Sequence, residues 1–264
     1  MEEPQLCYEQ LKLNNQLCFP LYACSRRIVN RYAPLFKPLG ITYTQYIVFL
    51  VLWEEDGLSV GELCRRHGVL VFSDEIHCDF AFPEHPHTVF LQACPELADR
   101  TVLCTAPSKS FNLAGLQASN IWIPDPGIRE RFSAAVSRTG YFSLNAMALE
   151  ACRAAYTGGE AWLEDCRAYL RGNLDFLRDY LRERLPAIRL IEPDGTYFAW
   201  LDCRGLGLDH DALERLILEK AGLWLDGGAM FGPEGEGFQR MVLACTRATL
   251  REALERLEHA VNSL

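Results

Sequence analysis

Two short stretches carry the residue types from which a reactive centre could be assembled: Ser73-Asp74-Glu75-Ile76-His77, and Thr105-Ala106-Pro107-Ser108-Lys109-Ser110-Phe111-Asn112-Leu113-Ala114-Gly115. Each follows an apolar run. Asp74 and Lys109 lie 35 residues apart. They can still face one crevice if the two runs are strands of an open parallel sheet, because ligands bind beyond the carboxyl ends of such strands. Taken singly, both signals have plainer readings. An Asp-Glu pair after a strand is most often a helix N-cap, and a single lysine in a loop usually faces water.

The elements that must position these residues are readable from texture. Val69-Leu70-Val71-Phe72 and Thr101-Val102-Leu103-Cys104 are short continuous apolar runs of the kind buried on both faces of a parallel sheet. Ser119 to Ile123 reads as a third such strand. A leucine-rich stripe over Glu160 to Arg184 predicts a long helix that Pro186 ends. A smaller mixed unit follows. Ile188–Ile191 and Tyr197–Leu201 flank the turn Pro193-Asp194-Gly195. Trp224–Leu225 and Met241–Cys245 read as strands, and Asp211-x-x-Glu214 and Thr249-x-x-Glu252 as helix starts. Alternating strands and helices argue for α/β architecture.

In one ordered frame, these motifs resemble a known family. Asp74-Glu75-Ile76-His77, the Thr105–Gln117 loop, Gly195-Thr196-Tyr197 with Trp200-Leu201-Asp202, Gly228 to Gly232, and Phe238 to Met241 with Cys245-Thr246-Arg247 all carry the likeness. They are similar to the cystathionine β-lyase, or cysteine-S-conjugate β-lyase, branch of the fold-type I pyridoxal-phosphate (PLP) enzymes, within the class I/II aminotransferases. The likeness covers about residues 61–264. It implies a fold class: an incomplete fold-type I large domain over 61–170 plus a small α+β C-terminal domain over 171–264, after an all-helical segment over 1–60.

The same resemblance implies roles. Lys109 would form the Schiff base with PLP and move the Cα proton, work suited to a desolvated amine that is neutral near pH 7. Asp74 would hold the pyridine nitrogen protonated, so that the ring can take up electrons. Thr105 and Ser108 would bond the cofactor phosphate, and His77 would stand near the phenolic oxygen. Arg247 would clamp the substrate α-carboxylate through a bidentate pair. Many aminotransferases of this fold have an arginine eight residues beyond the lysine. Gln117 stands there in this chain, which favours the lyase branch over an aminotransferase. The implied substrate is an amino acid, and the implied assembly a homodimer.

Residues 1–60 resemble something else. Leu13 to Ala23, Leu39 to Tyr46 and Leu50 to Glu54 are similar to organic-hydroperoxide regulators of the MarR family, in which Cys18 would be the peroxide-sensing thiol with Tyr22 and Tyr32 nearby. A buried helix cysteine is the competing reading. The match stops before a recognition helix, and this segment holds five Lys/Arg against six Asp/Glu, so no nucleic-acid partner is expected. The net charge of −9 on the whole chain points the same way. Nor does residues 1–60 offer the glycine turn, stacking ring or asparagine that the PLP family carries before the Asp74 strand. The chain therefore reads as a join between two truncated sequences near Gly61–Gly68, with impaired activity.

Eleven cysteines without a C-x-x-C pair read as small buried apolar residues in a reducing cytoplasm. No apolar run is long enough to span a bilayer. Glu84-His85-Pro86-His87 lacks spaced partners and reads as a polar loop, so no metal is expected.

Overall fold

The computed structural model describes residues 27, 29, 31, 32, 34–39, 41, 43–54, 56–141 and 143–264. Cys18, Tyr22, the Thr42 cap and most of the expected Gln5–Tyr32 helix lie outside them. The chain divides into two units, Met1–Ser59 and Val60–Leu264.

In the first unit, helix α1 (Tyr43–Glu54) is apolar on nearly every side. It packs aromatic rings rather than a leucine stripe. Phe36 and Tyr46 have centroids 4.7 Å apart, Tyr32 stacks on Phe36 at 5.4 Å, and Tyr46 meets Trp53 edge-on at 6.0 Å.

The second unit opens with α2 (Val60–His67). Gly68 leaves the helix in a left-handed conformation (φ 62°), and the Val69 amide donates back to the Cys64 carbonyl at 3.0 Å. That closure spends Val69 on the helix end. The first strand, β1, consequently runs Val71–Asp74, two residues later than the apolar run implied. The short helix α3 (Phe90–Ala93) precedes β2 (Thr101–Thr105), and the one-turn helix α4 (Pro107–Ser110) follows it. β1 and β2 are parallel, with Asp74 level with Cys104. β3 (Asn120–Trp122) is antiparallel to β2, not a third parallel strand. Its connection from β2, residues 106–119, carries only two short helical turns.

Helices α5 (Pro126–Arg138), α6 (Ala146–Gly158) and α7 (Glu160–Arg184) lead to the second sheet. Its strands are β4 (Arg189–Ile191), β5 (Phe198–Asp202), β6 (Asp226–Gly227) and β7 (Phe238–Val242), in the order β4-β5-β7-β6 and antiparallel throughout. Helices α8 (His210–Arg215) and α9 (Arg247–Val261) complete it. Leu174, Leu177 and Leu181 of α7 pack with Leu201, Leu213, Met241, Leu250, Leu254 and Leu257 into one core.

Four local expectations are corrected. Asp209, not Asp211, caps α8, its carboxylate accepting the Ala212 amide at 2.8 Å. Thr246, not Thr249, caps α9. Trp224 is 91% exposed, and the strand pairing starts beyond it at Asp226, where β7 can reach. The Met241 strand lies earlier, at 238–242, and the Leu243 amide carries its pairing with β5 one step further by donating to the Tyr197 carbonyl at 2.8 Å. The cysteines are less deeply placed than expected: among the described ones only Cys64 and Cys203 are buried.

Candidate functional site

The parallel β1–β2 pair sets the geometry. Both strands end on the same side of the sheet, so Asp74 leaves β1 beside the loop that carries Thr105, Ser108 and Lys109. Pro107 sits in the first turn of α4, where its missing N–H costs nothing. Asn112 closes the loop in a left-handed conformation (φ 55°). Ser110 donates to the Asp79 carboxylate, tying the lysine loop to the segment after β1.

That segment is held from both ends. Glu75 is buried and accepts from the Phe90 amide at 2.8 Å, from Ser73 at 3.1 Å and from His87 at 2.9 Å. It is an anchor for the loop that includes His87 and not a reactive group. Beyond it, the Thr196 amide donates to the Phe80 carbonyl at 2.7 Å, and the Phe82 amide to that of Asp194 at 3.1 Å. Gly195 is required there, since a Cβ would stand 2.9 Å from the Phe80 carbonyl oxygen. These bonds stitch the β1 loop to the β4–β5 turn and bring His77 against Tyr197 (5.5 Å) and Phe198 (5.9 Å).

The His77 imidazole lies below its ordinary value, first through burial and then through the Lys109 charge, with Asp74 pulling the other way. Both charges therefore reach His77. Its Nδ1 is buried without a hydrogen-bond partner. Burial and the neighbouring Asp79 push the Cys78 thiol up to about 11, so this cysteine is no thiolate nucleophile at neutral pH.

A cleft of about 630 Å³ opens beside Lys109. Of the residues singled out from sequence, Ser108 and Lys109 line it; Trp162, Asp165 and Tyr169 of α7, with Tyr197 and Thr246, form its other walls. Lys109 is exposed, and its amine makes no hydrogen bond or ion pair with the described residues. The desolvation expected around it is not supplied by this chain's described residues. Thr105 accepts from Asn120 at 3.4 Å. Gln117 is left-handed (φ 57°).

Arg247 stands one layer behind the cleft wall. Its backbone amide donates to the Tyr169 hydroxyl at 2.7 Å, its Nε to Asn173 Oδ1 at 2.7 Å, and its guanidinium lies 4.9 Å from the Phe176 ring centre. Asn173 is fully buried and spends its amide donors on the Leu243 and Cys245 carbonyls at 2.8 and 2.9 Å. Gly172 leaves room for the guanidinium, whose nearest nitrogen would be 3.0 Å from an added Cβ. Tyr169, Gly172, Asn173 and Phe176 thus form a cradle along one face of α7.

The family model for aminotransferase class I and II matches residues 51–257. Cystathionine beta-lyase PatB of Bacillus subtilis (strain 168) is 43% identical over 208 residues, covering 79% of this chain and 54% of that protein. Protein MalY of Escherichia coli (strain K12) is 35% identical over 215 residues, covering 81% and 54%. The crystal structure of cystalysin from Treponema denticola, which contains a pyridoxal 5'-phosphate cofactor, superposes with a TM-score of 0.74 at 36% identity, covering 77% of this chain and 52% of that one. The chain spans about half the length of the curated relatives it matches. Over that half, the chain belongs to the aminotransferase class I and II family.

Proposed function

We propose that this chain is part of a PLP-dependent carbon–sulfur β-lyase that acts on cystathionine or related cysteine conjugates, giving keto acid, ammonia and thiol. The observation that carries the reading is the parallel β1–β2 register. Asp74 is level with Cys104, so a carboxylate and the Thr105–Lys109 loop leave the sheet together. The relatives named as cystathionine β-lyases support it.

The residues present fit the cofactor. Lys109, whose amine has no partner among the described residues, lines the cleft, and Ser108 and Thr105 offer hydroxyl donors to a phosphate. The orphaned His77 Nδ1 is a buried polar atom that gains a partner when a polar ring substituent is brought beside it. Bound PLP supplies an electron sink for the pair released at the substrate Cα. Asp74 holds the positive charge on the ring nitrogen that this sink requires. Arg247, set by Asn173 and Phe176, binds the α-carboxylate. Lys109 Nζ takes the Cα proton, the thiolate leaves Cβ, and hydrolysis of the remaining amino-acid fragment yields keto acid and ammonia. The reading divides the chain at about 60 and 170, takes an amino acid as substrate and a pair of chains as the assembly. It assigns the chain to the reducing cytoplasm, which the free state of all described cysteines supports.

Two features predict weak function for the chain alone: Lys109 is exposed, and the described residues form only part of a cofactor-enclosing wall. Catalysis requires the cofactor in a fixed orientation. Purified full-length chain with added PLP is expected to show an absorbance band near the visible edge that Lys109→Ala abolishes, with slow keto-acid release from L-cystathionine. Absence of a Lys109-dependent band refutes the reading. Amino transfer to an added keto acid, without thiol release, would assign an aminotransferase instead.

A further inference from the structure

Helix α7 carries six acidic residues, and five of them have a use inside the chain. Glu160 lies in the first turn, where the helix dipole favours a negative charge. Glu164 pairs with Arg167 at 2.7 Å, Asp175 with Arg178 at 2.6 Å, and Asp179 and Glu183 with Arg182 at 2.8 and 3.4 Å. The exception is Asp165. It makes no hydrogen bond or ion pair with the described residues, and it lines the cleft beside Lys109. Among the described residues that line this cleft, Lys109 and Asp165 are the only charged ones. Trp162, three residues before Asp165, and Tyr169, four residues after it, line the same cleft, so the three form one row along α7. Trp162 is 49% exposed and stacks on Phe111 with ring centroids 6.0 Å apart. Tyr169 is fixed by the bond its hydroxyl accepts from the Arg247 amide. An unpaired carboxylate between two aromatic residues in a cleft wall attracts an organic cation, through its charge and through the ring faces. A metal ion is a poorer occupant, because no group of three metal-ligating side chains occurs among the described residues.

We infer that Asp165, with Trp162 beside it, is a specificity-determining site for cysteine conjugates whose leaving thiol carries an ammonium group. The inference deepens the lyase reading and rests on it for the α end of the substrate. There the α-carboxylate goes to Arg247, and both Lys109 and the substrate's α-amino group are committed to the cofactor. Asp165 is then the one charge left facing the cleft, and it can select only at the far end of the substrate. A neutral alkyl thioether leaves Asp165 to water, and a conjugate that ends in a carboxylate alone is repelled. Selection among conjugates is therefore by charge beyond the sulfur and not by the shape around the α carbon. Asp165 touches no reacting atom in this assignment. It acts on binding and not on bond breaking.

The test compares two ligands of one shape, S-(2-aminoethyl)-L-cysteine and S-propyl-L-cysteine, which differ by an ammonium in place of a methyl group. Ligand-observed NMR titration of the purified full chain, without PLP, is expected to give the aminoethyl compound a Kd about five- to tenfold lower. That advantage should shrink as salt is raised. Asp165→Asn, close in size at an exposed position, is expected to remove the advantage. Asp165→Lys is expected to reverse it, favouring S-(2-carboxyethyl)-L-cysteine over the aminoethyl compound. Each variant is read as a ratio between ligands, so a general loss of binding is not mistaken for a loss of selectivity. Three results would overturn the inference: no measurable binding of the aminoethyl compound to the parent chain, equal constants for the two ligands, or an advantage that survives Asp165→Asn. The lyase reading is checked apart from this, by the Lys109-dependent absorbance band with PLP. A band without the charge preference sinks only the inference about Asp165, and the preference without a band leaves a cation site and removes the lyase reading.

Discussion

Replacing Asn173 by alanine tests the cradle that holds Arg247. The side chain is fully buried and makes three hydrogen bonds, two as a donor to the Leu243 and Cys245 carbonyls and one as an acceptor from Arg247 Nε. The Leu243 carbonyl keeps a second partner in the Cys245 amide, so its loss is small. The Cys245 carbonyl has no other described donor, which costs about 1 kcal/mol. The bond to the guanidinium is charge-assisted and partly exposed; its loss costs about 1–2 kcal/mol. Together these give about 2–3 kcal/mol. For a unit of this size, that lowers Tm by about 4–12 °C. Asn173→Asp keeps the acceptor for Arg247 but aims a carboxylate oxygen at two carbonyls, so it should destabilise at least as much while retaining the arginine contact. Thermal unfolding of Asn173→Ala, Arg247→Ala and the double variant should give a coupling energy of about 1–2 kcal/mol. A coupling near zero, or an Asn173→Ala variant within about 0.5 kcal/mol of the parent, would show that the contact between the two residues does not position Arg247.

Two pH effects follow from the charges. Because burial and Lys109 lower the His77 imidazole while Asp74 raises it, its NMR titration midpoint should fall below the ordinary histidine value. Lys109→Met should move it up and Asp74→Asn further down; no response to either would separate these groups. A histidine whose folded value is lowered costs stability as pH falls below about 6.5, and His77→Phe should remove that loss. Asp202, bonded by both Arg204 and Arg189, has its carboxyl held well below the usual range. Its contribution is complete above about pH 4 and disappears as pH falls through the lowered folded value. Asp202→Asn should therefore cost about 1 kcal/mol at neutral pH, the arginines being largely exposed. The cost should shrink in acid unfolding measurements, and a pH-independent cost would refute the assignment.

Much of the scaffold was legible in the sequence, because each part had a local cause. The Glu160–Arg184 helix has the boundaries that its leucine stripe and Pro186 imply. β2 is a buried apolar run and behaves as one. Errors arose where one element's end decides where the next begins. Val69 and Leu70 have strand-like side chains, but the Val69 amide closes the preceding helix by bonding Cys64 five residues back, and the left-handed Gly68 is the local mark of that ending. β3 has the composition of a parallel strand and pairs antiparallel with β2, a direction that its own residues do not state.

The site divides in the same way. Asp74, Lys109 and Ser108 are reached through motifs at strand ends, where the chain leaves a sheet whose direction is known. The opposite wall was invisible for a physical reason. Trp162, Asp165 and Tyr169 stand beside the leucine stripe of α7, at spacings of three and four, where a mixed polar and aromatic series reads as the solvated flank of an amphipathic helix. Asn173 continues that series and is fully buried. What makes it a core residue is the pair of carbonyls arriving from the segment after β7, 70 and 72 residues later in sequence. The same flank thus does two jobs: its first turns shape the cleft, and its next turn holds the arginine behind the cleft wall. α7 also contributes Leu174, Leu177 and Leu181 to the core of the second sheet. Packing on one face and the cleft on the next are therefore fixed to a single rigid helix. A change that rotates the leucine stripe would displace Tyr169 and Asn173 together, so the geometry of Arg247 depends on a hydrophobic core it does not touch.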